Sequence, residues 1–197
     1  MLISDAVFCF LDIETTGLSP GTGGKICEIA LIKKKGDDIF ATYNQLVNPG
    51  CQIPENIIKI HGITNEMVSC EPKFEAVAPD VLALIDETVL VCHNAEFDVP
   101  FMAYEFYLAG LKMPEVEILD TLKFSRRHGN FESNKLGEVA RALGYSSSGW
   151  HRAMNDTGMT ERIFSHFLAK FQKRGAVTVE DLVKLQYSKK DECYEEK

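Results

Sequence analysis

The order of apolar runs predicts an α/β fold: a mixed β-sheet, built of an antiparallel hairpin plus parallel strands, flanked by helices. Three observations carry that expectation. Strand-like runs cluster at the start of the chain, at residues 7–12, 25–34 and 39–47. Short apolar runs at 89–92 and 116–119 then alternate with helical patterns, as β-α-β units do. Helical patterns alone close the chain, the last with Ile163, Phe164, Phe167, Leu168 and Phe171 in a stripe at helical spacing.

The run Val7-Phe8-Cys9-Phe10-Leu11 suits a central strand, and Thr15-Thr16-Gly17 breaks the chain away from it. Between the second and third strands, Lys35-Gly36-Asp37-Asp38 predicts a hairpin turn. Pro49-Gly50 ends the third strand, and a short helix is expected over 55–59, after Pro54. A helix over 74–86 has Val77, Val81, Leu82, Leu84 and Ile85 mostly on one side. Pro79 is awkward there and is expected in a first turn or a kink. Further helices are expected over 97–109, with Gly110 as the stop, and over 121–127, 135–143 and 153–171. The chain divides into a domain over 1–175 and a short helical, charged tail over 176–197, frayed from Ser188 onward.

At 197 residues, 45% hydrophobic and 25% charged, the chain suits one soluble domain with a sizeable core. The first residues carry no basic region followed by a long apolar run, so no signal peptide is read. No stretch approaches the roughly 20 apolar residues of a membrane span. Six scattered cysteines form no CxxC pair, which suits a reducing cytoplasm without disulfides or a zinc site. The net charge of −8 argues against a non-specific nucleic-acid binder, which normally carries a basic surface.

Against that background, "FLDIETTGL" at 10–18 is anomalous. Side chains alternate along a strand, so Asp12 and Glu14 share a face. Two close carboxylates repel and are costly to bury, so a positive partner or a proton is expected between them. More acids sit at comparable places. Asp98 ends "VCHNAEFD", at the start of a helix, and "HRAMND" puts His151 and Asp156 at the front of the last helix. In open α/β sheets, strand ends and the helix starts after them converge in one crevice. Asp12, Glu14, Asp98 and Asp156 could therefore share a pocket, with His151 beside it. Four carboxylates are hard oxygen ligands that suit Mg²⁺ or Mn²⁺. Two such ions can clamp the attacking and leaving oxygens of a phosphoryl displacement. A histidine of ordinary pKa, about 6.5, can take the proton from water near neutral pH. Taken alone, each residue has a blander alternative. Asp98 could cap a helix, Asp156 could be a solvated helix residue, and His151 could pack beside Trp150.

These residues resemble the histidine-type DEDD exonuclease family, near the proofreading epsilon subunit of bacterial DNA polymerase III and the exonuclease domain of PolC-type polymerases. The first motif stands as Asp12-Ile13-Glu14-Thr15-Thr16-Gly17, the second as His93-Asn94-Ala95-Glu96-Phe97-Asp98, and the third as His151-Arg152-Ala153-Met154-Asn155-Asp156. "IHGIT" at 60–64 and Asn134-Lys135-Leu136 are similar to family segments, and the similarity spans roughly residues 6–172.

The resemblance implies a ribonuclease H-like fold and stepwise 3'→5' release of nucleoside 5'-monophosphates. It implies two Mg²⁺ or Mn²⁺ ions on Asp12, Glu14, Asp98 and Asp156, with His151 as general base. It further implies that Thr15, Thr16, Gly17 and Leu18 line the terminal-nucleotide pocket, with His61 and Phe97 near the substrate. The expected partners are single-stranded DNA 3' ends and a DNA polymerase subunit. RNA ends are an alternative substrate, because sugar discrimination rests on contacts to the 2'-OH. A non-catalytic nucleic-acid-binding or polymerase-scaffold module on the same fold is the alternative of a different class.

Overall fold

The structure is a computed structural model that describes residues 1–145 and 152–188. A five-stranded sheet runs through it in the order β3-β2-β1-β4-β5. Strand β1 (Phe8–Thr15) pairs antiparallel with β2 (Ile26–Lys35), which pairs antiparallel with β3 (Asp38–Leu46). On its other side β1 runs parallel to β4 (Val89–Cys92), and β4 runs parallel to β5 (Glu117–Asp120). This is the mixed sheet that the sequence predicts. The turn between β2 and β3 lies where expected, with Gly36 in the left-handed region at φ 56°.

Helices cover both faces, and the period-two pattern of β1 assigns them. Phe8 and Phe10 face one way, into a core shared with α5 (Thr121–His128), α6 (Leu136–Ala142), α7 (Ala153–Gln172) and α8 (Val179–Leu185). Cys9, Leu11 and Ile13 face the other way, toward α3 (Phe74–Ile85) and α4 (Ala95–Leu108). The stripe on α7 is core: Phe164 packs on Phe8 and Phe10 with ring centroids 4.8 and 5.5 Å apart. A third, small cluster joins Cys27, Ile53, Ile63 and Val68 under α1 (Glu55–His61) and α2 (Asn65–Val68). Among the described residues, no helix is long and apolar enough to cross a membrane.

Several expectations need correction. Strand β1 continues past Asp12 to Thr15, so both acids lie within the strand. Pro79 sits in the body of α3 rather than in its first turn. Its position is exposed, so water can serve the carbonyl that its missing N–H leaves without a partner. Helix α4 starts at Ala95, two residues earlier than expected, because Asn94 takes φ 83° and turns the chain into the helix. The four-residue α2 is not foreseen from the sequence, being too short to show a period, while the seven-residue α8 falls within the tail expected to be helical and charged. Helix α8 is packed: Val179, Leu182 and Leu185 are buried in the same core as Phe171. The tail beyond Ser188 lies outside the described residues.

Candidate active site

Asp12 and Glu14 are on the same face of β1 as Phe8 and Phe10, the face that α7 covers. Where the apolar side chains give way to acids, α7 starts, and Asp156 stands four residues into it. Ligand oxygens of Asp12, Glu14 and Asp156 all lie within 4.8 Å of one another. Asp98, four residues into α4, is buried at 4% exposure and takes a hydrogen bond from the Ile13 main-chain N–H. The cap position of α4 is Asn94, and Asp98 stands inside the helix. It reaches across to the backbone of the strand that carries Asp12 and Glu14.

This crowding has an electrostatic signature. Burial pushes Asp12 well above the ordinary carboxylate range, and Asp98, Asp156, Glu14 and Glu28 push it further. Glu14 is pushed up to about 8, first by burial and then by Asp156 and Glu28, while Arg152 pulls the other way. Asp98 is raised mainly by burial. Buried carboxylates that raise one another in this way have the character of a cation site. All the donors are carboxylate oxygens, the donor set of a hard divalent ion. Asp12, Glu14 and Asp156, with Asp98 beside them, fit such an ion.

A cavity of about 580 Å³ opens over the acids. Asp12, Glu14, Phe97, Asp98 and Asp156 line it, and Arg126, Asn134 and Lys135 form part of the wall. His93 fixes that wall. Its Nε2 lies 2.9 Å from the Asn134 carbonyl and its Nδ1 2.8 Å from the Thr121 hydroxyl. A carbonyl can only accept, so Nε2 carries the proton, and burial lowers the pKa and favours the neutral ring.

The other substrate positions expected from the resemblance fall outside that lining. The Thr15 hydroxyl donates to the Gly17 carbonyl at 2.7 Å, and Thr16 Oγ1 accepts from the Lys25 N–H at 3.0 Å. Both side chains are thus spent on shaping the turn after β1. Leu18, at the tip of that turn, is 83% exposed. His61 is buried in the cluster under α1, where its Nδ1 accepts from the Ile63 N–H at 3.0 Å. The structure does not bring it to the cavity. Phe97 does line it. His151 lies outside the described residues.

Two buried acids escaped the sequence reasoning. Glu28 stands opposite Glu14 in the β1–β2 register. Asp120, at the end of β5, accepts from the N–H groups of Asn94 (3.0 Å), Ala95 (3.2 Å) and Leu122 (2.8 Å). Each breaks an apolar strand-like run, as Asp12 does, and that signal could have found them.

A family model described as Exonuclease, RNase_T, matches residues 9–164. The chain belongs to this exonuclease family. The chain is 38% identical over 179 residues to the 3'-5' exonuclease DinG of Bacillus subtilis, covering 90% of this chain and 19% of that protein. It is 33% identical to the PolC-type DNA polymerase III of Thermotoga maritima, covering 92% of this chain and 13% of that one. It thus spans less than a fifth of the length of these first curated relatives. It is also 32% identical to the DNA polymerase III subunit epsilon of Aquifex aeolicus, covering 83% of this chain and 81% of that protein. A solved structure of exonuclease X with 5' overhanging duplex DNA shares the fold, at a TM-score of 0.72 and 24% identity over 91% of this chain and 99% of that one.

Proposed function

We propose that this exonuclease hydrolyses the terminal phosphodiester at 3' ends of single-stranded DNA and releases nucleoside 5'-monophosphates, in epsilon-like proofreading or in repair. One observation carries the proposal: three carboxylates gathered within 4.8 Å under an open cavity, with a fourth anchored beside them. The names of the DinG, PolC-type and epsilon relatives support the reaction class and the association with a DNA polymerase.

In this reading Asp12, Glu14, Asp98 and Asp156 hold two Mg²⁺ or Mn²⁺ ions. When bound, the ions lower the pKa of the attacking water and stabilise charge on the leaving oxygen. The protein's own groups do the rest. Asp98 stays in place through its bond to Ile13. Phe97 offers a ring face on the cavity wall, where a base can stack. Arg126 and Lys135 offer charge to the strand's phosphates without reading sequence. Leu18, on the turn set by Thr15, Thr16 and Gly17, packs against the last base. His151 takes the proton from the water, a role assigned from its place in the third motif. The division into a domain over 1–175 and a tail belongs to the same reading, and the burial of α8 favours counting that helix with the domain.

The test is a gel time course on 5'-labelled single strands, DNA and RNA in parallel, with Mg²⁺, Mn²⁺ or chelator. Asp12→Ala runs alongside. A metal-dependent ladder on DNA that the variant abolishes is the expected result. A ladder mainly on RNA keeps the chemistry and transfers the substrate. Intact strands from folded, metal-loaded protein would end the enzymatic reading.

A further inference from the structure

Glu28 is an unusual residue to find inside this sheet. It is 1% exposed, and it faces Glu14 directly across an antiparallel pair, where like charges destabilise. Its hydrogen bonds explain how it is tolerated. Arg152 grips it as a fork: Nη2 donates to Oε1 at 2.8 Å, and Nε lies 3.3 Å from Oε1 and 3.1 Å from Oε2. The Ala153 main-chain N–H donates to Oε2 at 3.1 Å. Each oxygen therefore has two donors. Both are directed at the start of α7, which leaves the carboxylate committed to that helix and Arg152 rather than to a metal ion.

Ala153 is the first residue of α7, and Asp156 lies one turn further on. A helix is stiff over one turn, so fixing its first N–H fixes where Asp156 stands. The same construction occurs at Asp98. Asp120, 2% exposed, holds the N–H of Ala95, the first residue of α4, and Asp98 comes one turn later. Both helical acids thus ride on helices pinned at the first residue by a buried carboxylate from the sheet.

We propose that Glu28, through Arg152 and Ala153, is a positioning residue that sets the register of Asp156 against Asp12 and Glu14. This inference rests on the metal-site reading above. The Glu28 charge also needs its fork. Lysine keeps the charge of Arg152 but lacks the rigid planar fork that sets two nitrogens against one carboxylate.

The experiment is calorimetric titration of Mn²⁺ into metal-free protein, with melting temperature and single-strand kinetics measured on the same samples. The wild type is expected to bind Mn²⁺. Glu28→Gln is expected to weaken Mn²⁺ about 10-fold or more and to lower kcat by a similar factor, with KM for the strand within about twofold. Arg152→Lys is expected to do the same, and it carries the test if Glu28→Gln does not fold. Glu161→Gln breaks a pair with Lys34 further along α7 and is the control, with Mn²⁺ affinity unchanged. Variants that melt lower yet bind Mn²⁺ as the wild type does would make Glu28 a structural residue only and overturn the inference. A wild type that binds no Mn²⁺ overturns the metal-site reading and this inference with it.

Discussion

Glu14 gives the sharpest test of the electrostatics, because the protein must fold a carboxyl whose pKa rises from 4.5 to about 8. Below pH 4.5 both the folded and the unfolded chain hold that proton, and the shift costs nothing. Between 4.5 and about 8 the unfolded chain has released it while the folded one keeps it. Stability then falls as pH rises, by about 1.4 kcal/mol per pH unit. Above about 8 the loss is complete, at about 5 kcal/mol from this group. Burial holds His93, His128 and His166 below their ordinary value, and they act oppositely, adding stability as pH climbs toward 6.5. The window free of the histidines is therefore pH 7 to 8, where the raised Asp12 and Asp98 act in the same direction as Glu14.

Over that unit, metal-free protein is expected to lose roughly 3 °C in melting temperature, since a domain of this size shifts by about 2–4 °C per kcal/mol. Glu14→Gln removes one titrating group and should make the slope shallower. At pH 8 in chelator the variant should melt above the wild type. Saturating Mn²⁺ should raise the wild type strongly at pH 8 and the variant much less. The assay is thermal unfolding by circular dichroism from pH 5 to 9, with chelator or with Mn²⁺. A wild type whose metal-free melting temperature is level from pH 7 to 8, or a variant that tracks it at every pH, would refute the reasoning.

Three further outcomes are expected. His151→Ala should slow hydrolysis by about 100-fold or more, leave strand binding intact and erase the low-pH limb of the rate profile; an unchanged rate from pH 6 to 9 would remove the general-base role. Asp120→Ala strips the acceptors from the Asn94, Ala95 and Leu122 N–H groups and should cost about 2–4 kcal/mol in urea unfolding, and a loss under about 0.5 kcal/mol would contradict the network described. Leu18→Ala should leave the melting temperature unchanged, because the side chain is almost fully exposed, while raising KM for single strands; equal KM values would take Leu18 out of the substrate path.

The range of the interactions involved decides which features were legible in the sequence. The alternation Phe8-Cys9-Phe10-Leu11 and the stripe on α7 are local patterns, and both faces of β1 and the buried side of α7 could be read from them. Gly36 marked the hairpin for the same reason. The acids of β1 were conspicuous because nothing local explains two carboxylates on one strand face. Glu28 breaks a longer apolar run in the same way, but its meaning depends on Arg152, 124 residues away in the chain. Asp120 likewise depends on Asn94 and Ala95 from another turn. The start of α4 was misplaced because its cap comes from β5 rather than from its own sequence. His61 looked like a substrate neighbour from "IHGIT"; its Nδ1 accepts from the Ile63 N–H, and its Nε2 lies 3.8 Å from Cys27 Sγ. Motif resemblance marks a segment. It does not say which side chain of the segment faces the cavity.

The objection raised by the net charge of −8 weakens once charges are placed. Asp12, Glu14, Asp98 and Asp156 belong to one site, where a pair of divalent ions would offset their charge. Glu28 is already neutralised by Arg152. Arg126 and Lys135 line the same cavity and have no ion-pair partner among the described residues. In the proposed reading, a strand approaching the acids would also meet these cations. Such an arrangement needs few phosphate contacts, because only the last nucleotides of the strand must be held. Few contacts also mean weak binding with a shallow salt dependence, because few counterions are released. In the proposed reading, the remaining negative charge would discourage binding to the interior of a nucleic acid and leave the acid-lined cavity as the favourable place for a strand end.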